Sequence, residues 1–187
     1  MNQVSKKLDA AEQFAKNKHS GIMQADGITP YWKHLESVVS RLKSIGITDE
    51  DMLCAAWLHD TIEDTNTDFD DIHERFGRNV AIMVSSVSKD KRLPKSKREQ
   101  LYIKQLKEAP WQAQLLKLCD ISSNLKNLEK SGWPKEKRSN QVKNKLHYLN
   151  AIKPGLIQNK SKIPNIRSII RGINDVVEEY GQKPVLI

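Results

Sequence analysis

Seven consecutive residues, His59-Asp60-Thr61-Ile62-Glu63-Asp64-Thr65, carry one histidine and three carboxylates directly after the apolar run Met52-Leu53-Cys54-Ala55-Ala56-Trp57-Leu58. An imidazole and a carboxylate side by side at the end of a buried helix offer a hard divalent cation one nitrogen and one oxygen. Glu63 and Asp64 fall one helical turn further on, within reach of the same space without being consumed as ligands. The chemistry that this set suits is metal-assisted hydrolysis.

A metal site needs more donors than His59 and Asp60. The other histidines are His19, His34, His73 and His147. His34 opens an apolar stripe, whereas His73 and His147 read as surface residues and His19 either orders a loop or is solvated within it. Asp120 follows the apolar face Leu115-Leu116-Lys117-Leu118-Cys119, where a carboxylate is costly unless it is paired or metal-bound. Together His34, His59, Asp60 and Asp120 supply two nitrogens and two oxygens and leave positions for water and substrate. A divalent ion in such a site lowers the pKa of bound water and polarises a phosphoryl oxygen.

The elements that must position these residues are helical. Leu8, Ala11, Phe14 and Ala15 form one face of a first helix that ends near Lys18-His19. Gly21 to Pro30 reads as a loop. Leu35, Val38, Val39, Leu42 and Ile45 stripe a second helix closed by Gly46. Thr48 is the expected N-cap of a third helix running into His59, with Asp49, Glu50 and Asp51 in its first turn. Thr67 is the expected cap of a helix containing Ile72 and Phe76, which Gly77 interrupts before Val80, Met83, Val84 and Val87 continue the pattern. Asp90 to Lys95 is a basic turn. Further helices are expected at 95–107, 112–128, 134–152 and 164–180, with Pro134 and Pro164 in first-turn positions. The expectation is an all-α fold of about eight to ten helices, a single domain over residues 1–187.

The chain has 187 residues, enough to bury a sizeable core, with 38% hydrophobic and 29% charged residues. No apolar run approaches a membrane span, and the N-terminal segment Met1–Lys7 does not read as a signal peptide. Cys54 and Cys119 lack metal-ligand spacing and read as reduced core thiols, so a cytoplasmic protein is expected. The formal charge is +8, unevenly spread. Asp49 to Phe76 is strongly acidic, and Lys89 to Lys145 is basic. That polarity suits a small anionic substrate held between a cation site and basic side chains. Lys135-Glu136-Lys137-Arg138 with Lys143 and Lys145 lacks interleaved aromatics and reads as a solvated helix face, which argues against nucleic acid as partner. Trp32, Trp57, Trp111 and Trp133 read as core or helix-junction residues.

With these pieces in order, the sequence resembles the HD-domain phosphohydrolases. Within them it is similar to the hydrolase domain of RelA/SpoT proteins, and especially to small stand-alone alarmone hydrolases of the metazoan SpoT-homologue type. The likeness is carried by Phe14 to His19 with Gly27-Ile28-Thr29-Pro30-Tyr31-Trp32-Lys33-His34, by Ala55 to Thr65, by Phe76 to Ala81 with Val87 to Lys91, and by Lys117 to Asp120 with Asn124 to Leu128. It implies that His34, His59, Asp60 and Asp120 bind one metal, usually manganese, and that Glu63 and Asp64 position or activate the attacking water. It implies a purine nucleotide substrate: the family removes the 3′-pyrophosphate of guanosine tetra- or pentaphosphate, and some small members remove the 2′-phosphate of NADPH.

The sequence departs from the family at substrate-side positions. Gln24-Ala25 stand where an arginine–lysine pair is usual, Ile121 where arginine or lysine follows the last aspartate, and Ser122-Ser123 and Leu35 also differ. Lys18, Lys89, Lys91, Arg92 and Lys95 are the cations available to compensate, and Lys18, Lys91, Lys95, Asn124 and Tyr148 are the expected substrate-binding residues. Asn124 either touches the base or packs between helices, and Tyr148 either stacks on a base or packs. A phosphatase acting on another nucleotide and a non-catalytic nucleotide binder are the competing functions. Intact Glu63-Asp64 argues against the binder. The oligomeric state is left open.

Overall fold

The computed structural model describes residues 6–187, and the opening Met1–Ser5 lies outside them. Among the described residues every regular element is helical. In chain order these are α1 (Lys6–Lys18), α2 (Trp32–Ser44), α3 (Glu50–Leu58), the single turn α4 (Thr61–Asp64), α5 (Phe69–Phe76), α6 (Arg78–Val87), α7 (Lys95–Glu108), α8 (Trp111–Lys126), α9 (Lys135–Gln158) and α10 (Ile166–Glu179). Short 3₁₀ turns occupy Glu129–Ser131 and Lys160–Lys162. The all-α expectation holds.

The apolar stripes decide the packing. Leu35, Val38, Val39, Leu42 and Ile45 are all buried along α2. The run from Met52 to Leu58 is buried on every face, which makes α3 an interior helix. The other interior helix is α8, buried continuously from Ala113 to Ser123 and packed by α2, α3, α6, α9 and α10. Its buried polar groups therefore need partners. Gln114 donates to the last-turn carbonyls of α7, at 3.1 Å to Leu106 and 3.3 Å to Lys107. The Ile166, Ile169, Ile170, Ile173 and Val177 stripe seats α10 on α8. Trp57 is buried, and Trp32, Trp111 and Trp133 pack half-buried against the core.

Several boundaries differ from the sequence expectation. Asp49, not Thr48, caps α3, its carboxylate accepting from Met52 N at 2.8 Å. Asp68, not Thr67, caps α5 in a capping box with Asp71. In both places the carboxylate one residue later reaches the free N–H groups of the first turn. Pro134 is the N-cap of α9 rather than part of its first turn. Pro164 precedes the N-cap Asn165, whose left-handed φ of 48° lets the chain enter α10. Helix α9 also continues through Pro154 to Gln158. Ile152 and Leu156, both fully buried, hold its inner face in the core across the one hydrogen bond that proline removes.

Candidate metal centre and active site

The third helix stops at Leu58, one residue short of the expected His59. This break is what makes the His59-Asp60 pair usable. In a continuous helix neighbouring side chains diverge by about 100°. Here His59 and Asp60 form the turn between α3 and α4, and Thr61 Oγ1 donates back to Leu58 O at 2.6 Å to close it. His59 Nε2 then lies 3.1 Å from Asp60 Oδ2. The first turn of α2 brings in His34, whose Nε2 is 3.3 Å from His59 Nε2 and 3.6 Å from Asp60 Oδ2. The interior helix α8 adds Asp120, with Oδ1 at 3.2 Å from His34 Nε2 and 3.8 Å from His59 Nε2.

The donor set fits a divalent cation. One donor atom each from His34, His59 and Asp120, all three residues buried, lies within 4.8 Å of the others. Both imidazoles aim Nε2 at the same point while Nδ1 is held from behind. His59 Nδ1 donates to Ala56 O at 2.8 Å, which leaves Nε2 as the lone-pair donor of the neutral ring. His34 Nδ1 is 3.2 Å from Ser123 Oγ, and Ser123 also bonds Ser37. Tyr31 OH donates to Asp60 Oδ2 at 2.6 Å, and its ring stacks on the buried His19 at 5.1 Å between centroids.

The electrostatics say the same. Burial raises the Asp60 carboxyl, but the adjacent His59 more than reverses this and holds it below the ordinary carboxylate range. Burial likewise raises Asp120, and Lys117 foremost drives it well below that range. His59 is depressed by burial yet pushed up to about 10 by Asp60 and Asp120. In the metal-free protein the two carboxylates are thus balanced by the His59 proton and by Lys117, and a bound cation would take the place of that proton. Lys117 supplies part of that balance: its Nζ is 2.8 Å from Asp120 Oδ2, almost wholly buried, over the rings of Tyr102 and Tyr148. Asn124 donates to Asp120 Oδ1 at 2.5 Å.

Glu63 is half-buried on α4. Lys89 N donates to its Oε2 at 3.1 Å, and burial raises its pKa. Asp64 is exposed and pairs with Lys91 at 2.8 Å.

Beside His34 opens a cleft of about 690 Å³, lined by Gln24, Asn124, Asn127, Trp133 and Lys145 among others. Gln24 is tied across it, its Oε1 accepting from Asn127 at 3.3 Å. Of the expected substrate residues, Asn124 lines this cleft. Lys18, Lys91, Lys95 and Tyr148 lie outside its lining. Lys18 bonds Asn66 at 3.1 Å, and Lys95 is exposed at the start of α7. Tyr148 is buried edge-on to Tyr102, with its hydroxyl accepting from Lys89 at 2.6 Å and donating to Glu99 at 2.8 Å. Ile121 is fully buried in the core, and Ser122 accepts from Arg41 at 3.2 Å, so both face inward. Sequence reasoning did not single out Lys117, Tyr31 or Trp133 for the site, took Ser123 as a substrate-side position rather than a partner of His34, and placed Lys145 on a solvated face. Lys117 left a trace, a charge inside an apolar run. Lys145 left a fainter one, falling on the helix face of Val142, Tyr148 and Leu149, all buried.

A helical bundle in which an adjacent His-Asp pair, a distant histidine and a distant aspartate converge is an HD-domain arrangement. Residues 11–151 match the HD domain, and the chain belongs to that family. It is 40% identical over 135 residues to the guanosine-3′,5′-bis(diphosphate) 3′-pyrophosphohydrolase MESH1 of Xenopus tropicalis, covering 70% of this chain and 75% of that protein. Human MESH1 is 39% identical over 137 residues, covering 71% and 76%. The solved structure of a metazoan orthologue of SpoT, described as hydrolysing ppGpp, superposes with a TM-score of 0.79 at 29% identity over 97% of this chain and 99% of that one.

Proposed function

We propose that the protein is a divalent-metal phosphohydrolase that removes the 3′-pyrophosphate of guanosine 3′,5′-bis(diphosphate), with manganese as its metal. The observation that carries this reading is the convergence of His34, His59, Asp60 and Asp120 on one buried point beside a nucleotide-sized cleft. The activity carried by the relatives' names supports it.

His34, His59, Asp60 and Asp120 would hold the cation. Bound there, it supplies Lewis-acid polarisation of a phosphoryl oxygen and of the attacking water. Glu63 is the general base. Its Oε2 is fixed by the Lys89 amide, leaving Oε1 to take the proton as the water oxygen bonds phosphorus. The bond to the ribose 3′-oxygen breaks, that oxygen takes a proton from solvent water, and pyrophosphate and guanosine diphosphate are released. Asp64 orients the water and Lys91 holds Asp64. Asn124 fixes the Asp120 oxygen that faces the imidazoles and touches the substrate from the cleft wall. Lys18, Lys91 and Lys95 add positive potential near the site, and Tyr148 sets the position of Lys89.

Residues 1–187 act as one HD domain in this reading. Among the described residues no helix is long and apolar enough to cross a membrane, and we place the protein in the cytoplasm, where the buried free thiols Cys54 and Cys119 stay reduced. The neutral Gln24 and exposed Ala25 on the cleft wall favour, as a second reading, a nucleotide with fewer phosphates, such as the 2′-phosphate of NADPH.

Purified protein with manganese is expected to convert guanosine 3′,5′-bis(diphosphate) to guanosine diphosphate and pyrophosphate, resolved by anion exchange. Asp60→Ala and Asp120→Ala should abolish this. Glu63→Gln should keep the metal and lose roughly 10²–10⁴-fold in turnover. Full activity in Asp120→Ala protein overturns the reading.

A further inference from the structure

A polyphosphate needs more positive charge than one metal supplies, and the usual places for it are neutral here. Gln24 is tied to Asn127, Ala25 has no charge to give, and Ile121 is in the core. Of the cations expected to compensate, Lys95 is exposed at the start of α7 and the other four are engaged elsewhere. Lys89 pairs with Glu99 at 2.9 Å, Lys91 with Asp64 at 2.8 Å, Arg92 with Asp90 at 2.8 Å, and Lys18 bonds Asn66.

Lys145 is different. It enters from α9, lines the cleft with His34 and Asn124, and is half-buried. Its ammonium makes no hydrogen bond or salt bridge with the described residues. Asp120 and Asp60 favour its charge, and Lys117 and Lys89 oppose it. The remaining cations of the lining are ordinary surface groups. Lys33 is paired with Glu36 at 2.8 Å and lies over Trp32, and Lys130 is exposed. The acid at the rim, Asp26, is saturated by its own loop through Ile28 N, Thr29 N and Thr29 Oγ1. An ammonium withdrawn from water with no carboxylate in contact is unfavourable in the free protein. The burial that lowers the Lys145 pKa is the mark of that cost. An anion entering the cleft relieves it.

We propose that Lys145 is the phosphate-binding cation of the cleft, holding a phosphoryl group of the nucleotide beside His34 and Asp120 and replacing the positive charge missing at Gln24, Ala25 and Ile121. This rests on the cleft being the nucleotide site, and it extends that reading by naming the residue that selects an anionic ligand.

The test is calorimetric titration of the manganese-loaded full chain with guanosine diphosphate and with inorganic pyrophosphate, neither of which requires turnover. Lys145→Gln should weaken both by roughly tenfold to a hundredfold, the worth of a charge-assisted hydrogen bond, and flatten their salt dependence. Lys145→Arg should restore most of the affinity. Lys143→Gln, an exposed lysine on the same helix, should bind as the parent does. None of the three should lower the melting temperature or the manganese affinity. Parent-like affinity in Lys145→Gln, equal loss in Lys143→Gln, or no binding of either ligand by the parent protein overturns the assignment. Binding lost in Lys145→Gln by a protein that leaves guanosine 3′,5′-bis(diphosphate) intact refutes the proposed reaction and not Lys145. Turnover with an unchanged KM in Lys145→Gln refutes Lys145 and not the reaction.

Discussion

Asp120 sits at the bottom of the site, and its two oxygens do different things. Oδ2 is bound by Lys117 one turn back on α8, and Oδ1 faces the imidazoles and Asn124. Lys117 therefore orients the carboxylate and neutralises it when no metal is present. Removing one partner of a buried pair leaves an uncompensated charge and costs about 3–5 kcal/mol. Lys117→Met should destabilise the chelator-treated protein by that order in urea denaturation. Manganese should shrink the difference, because the cation takes over the neutralisation. An equal loss with and without manganese would show that Lys117 serves packing alone. The sequence marks Asp120 as costly in its apolar setting, and the same reasoning applies to Lys117 two residues inside that run. Both signals are legible because α8 is apolar on the faces around them. Ser123 carries no such signal: a serine behind His34 matters only because α2 and α8 touch there.

At the scale of elements, periodicity accounts for which segments are helical, and the errors fall at the ends. Caps shifted by one residue because aspartates follow both threonines, and the stronger acceptor took the first-turn amides. The break after Leu58 is invisible to periodicity, since α4 is a single turn with no stripe of its own. The close approach of α8 and α9 is also a matter of one residue. A Cβ on Gly155 would lie 2.0 Å from Gln114 Oε1, so glycine there makes room for the amide that caps α7. Gly155→Ala should expel that amide and cost about 1–3 kcal/mol for the carbonyls and amide left unpaired. In a Gln114→Ala background the same substitution should cost far less. A double-mutant cycle by thermal or urea unfolding measures the coupling, and additive losses would show that the contact is not the cause.

For the whole molecule, the uneven charge becomes a pH dependence. In metal-free protein His59 is pushed up to about 10, above the ordinary 6.5, against its burial and by Asp60 and Asp120. A raised folded-state pKa stabilises fully below the unfolded value and loses that contribution as pH rises through the folded one. The chelator-treated protein should thus lose melting temperature from near neutral pH toward about 10. Manganese bound as proposed would displace the same proton, so it should reverse the trend and bind more weakly as pH falls. A melting curve series with and without metal checks both signs. Identical pH profiles would place the buried charge elsewhere.

What the sequence determines by itself is local. Helical segments follow from the spacing of apolar residues, and the proposed metal donors are among the polar groups set inside apolar surroundings, so both can be read along the chain. The family pattern adds the pairing of His34 with Asp120. Tertiary structure alone decided that His59 and Asp60 share one turn, that Ile121 turns inward, and that Lys145, rather than another of the lysines of α9, stands in the cleft with no carboxylate in contact. Those facts depend on which helix faces lie against each other across the core. That is settled by packing between residues far apart in the chain, and no spacing within one segment encodes it.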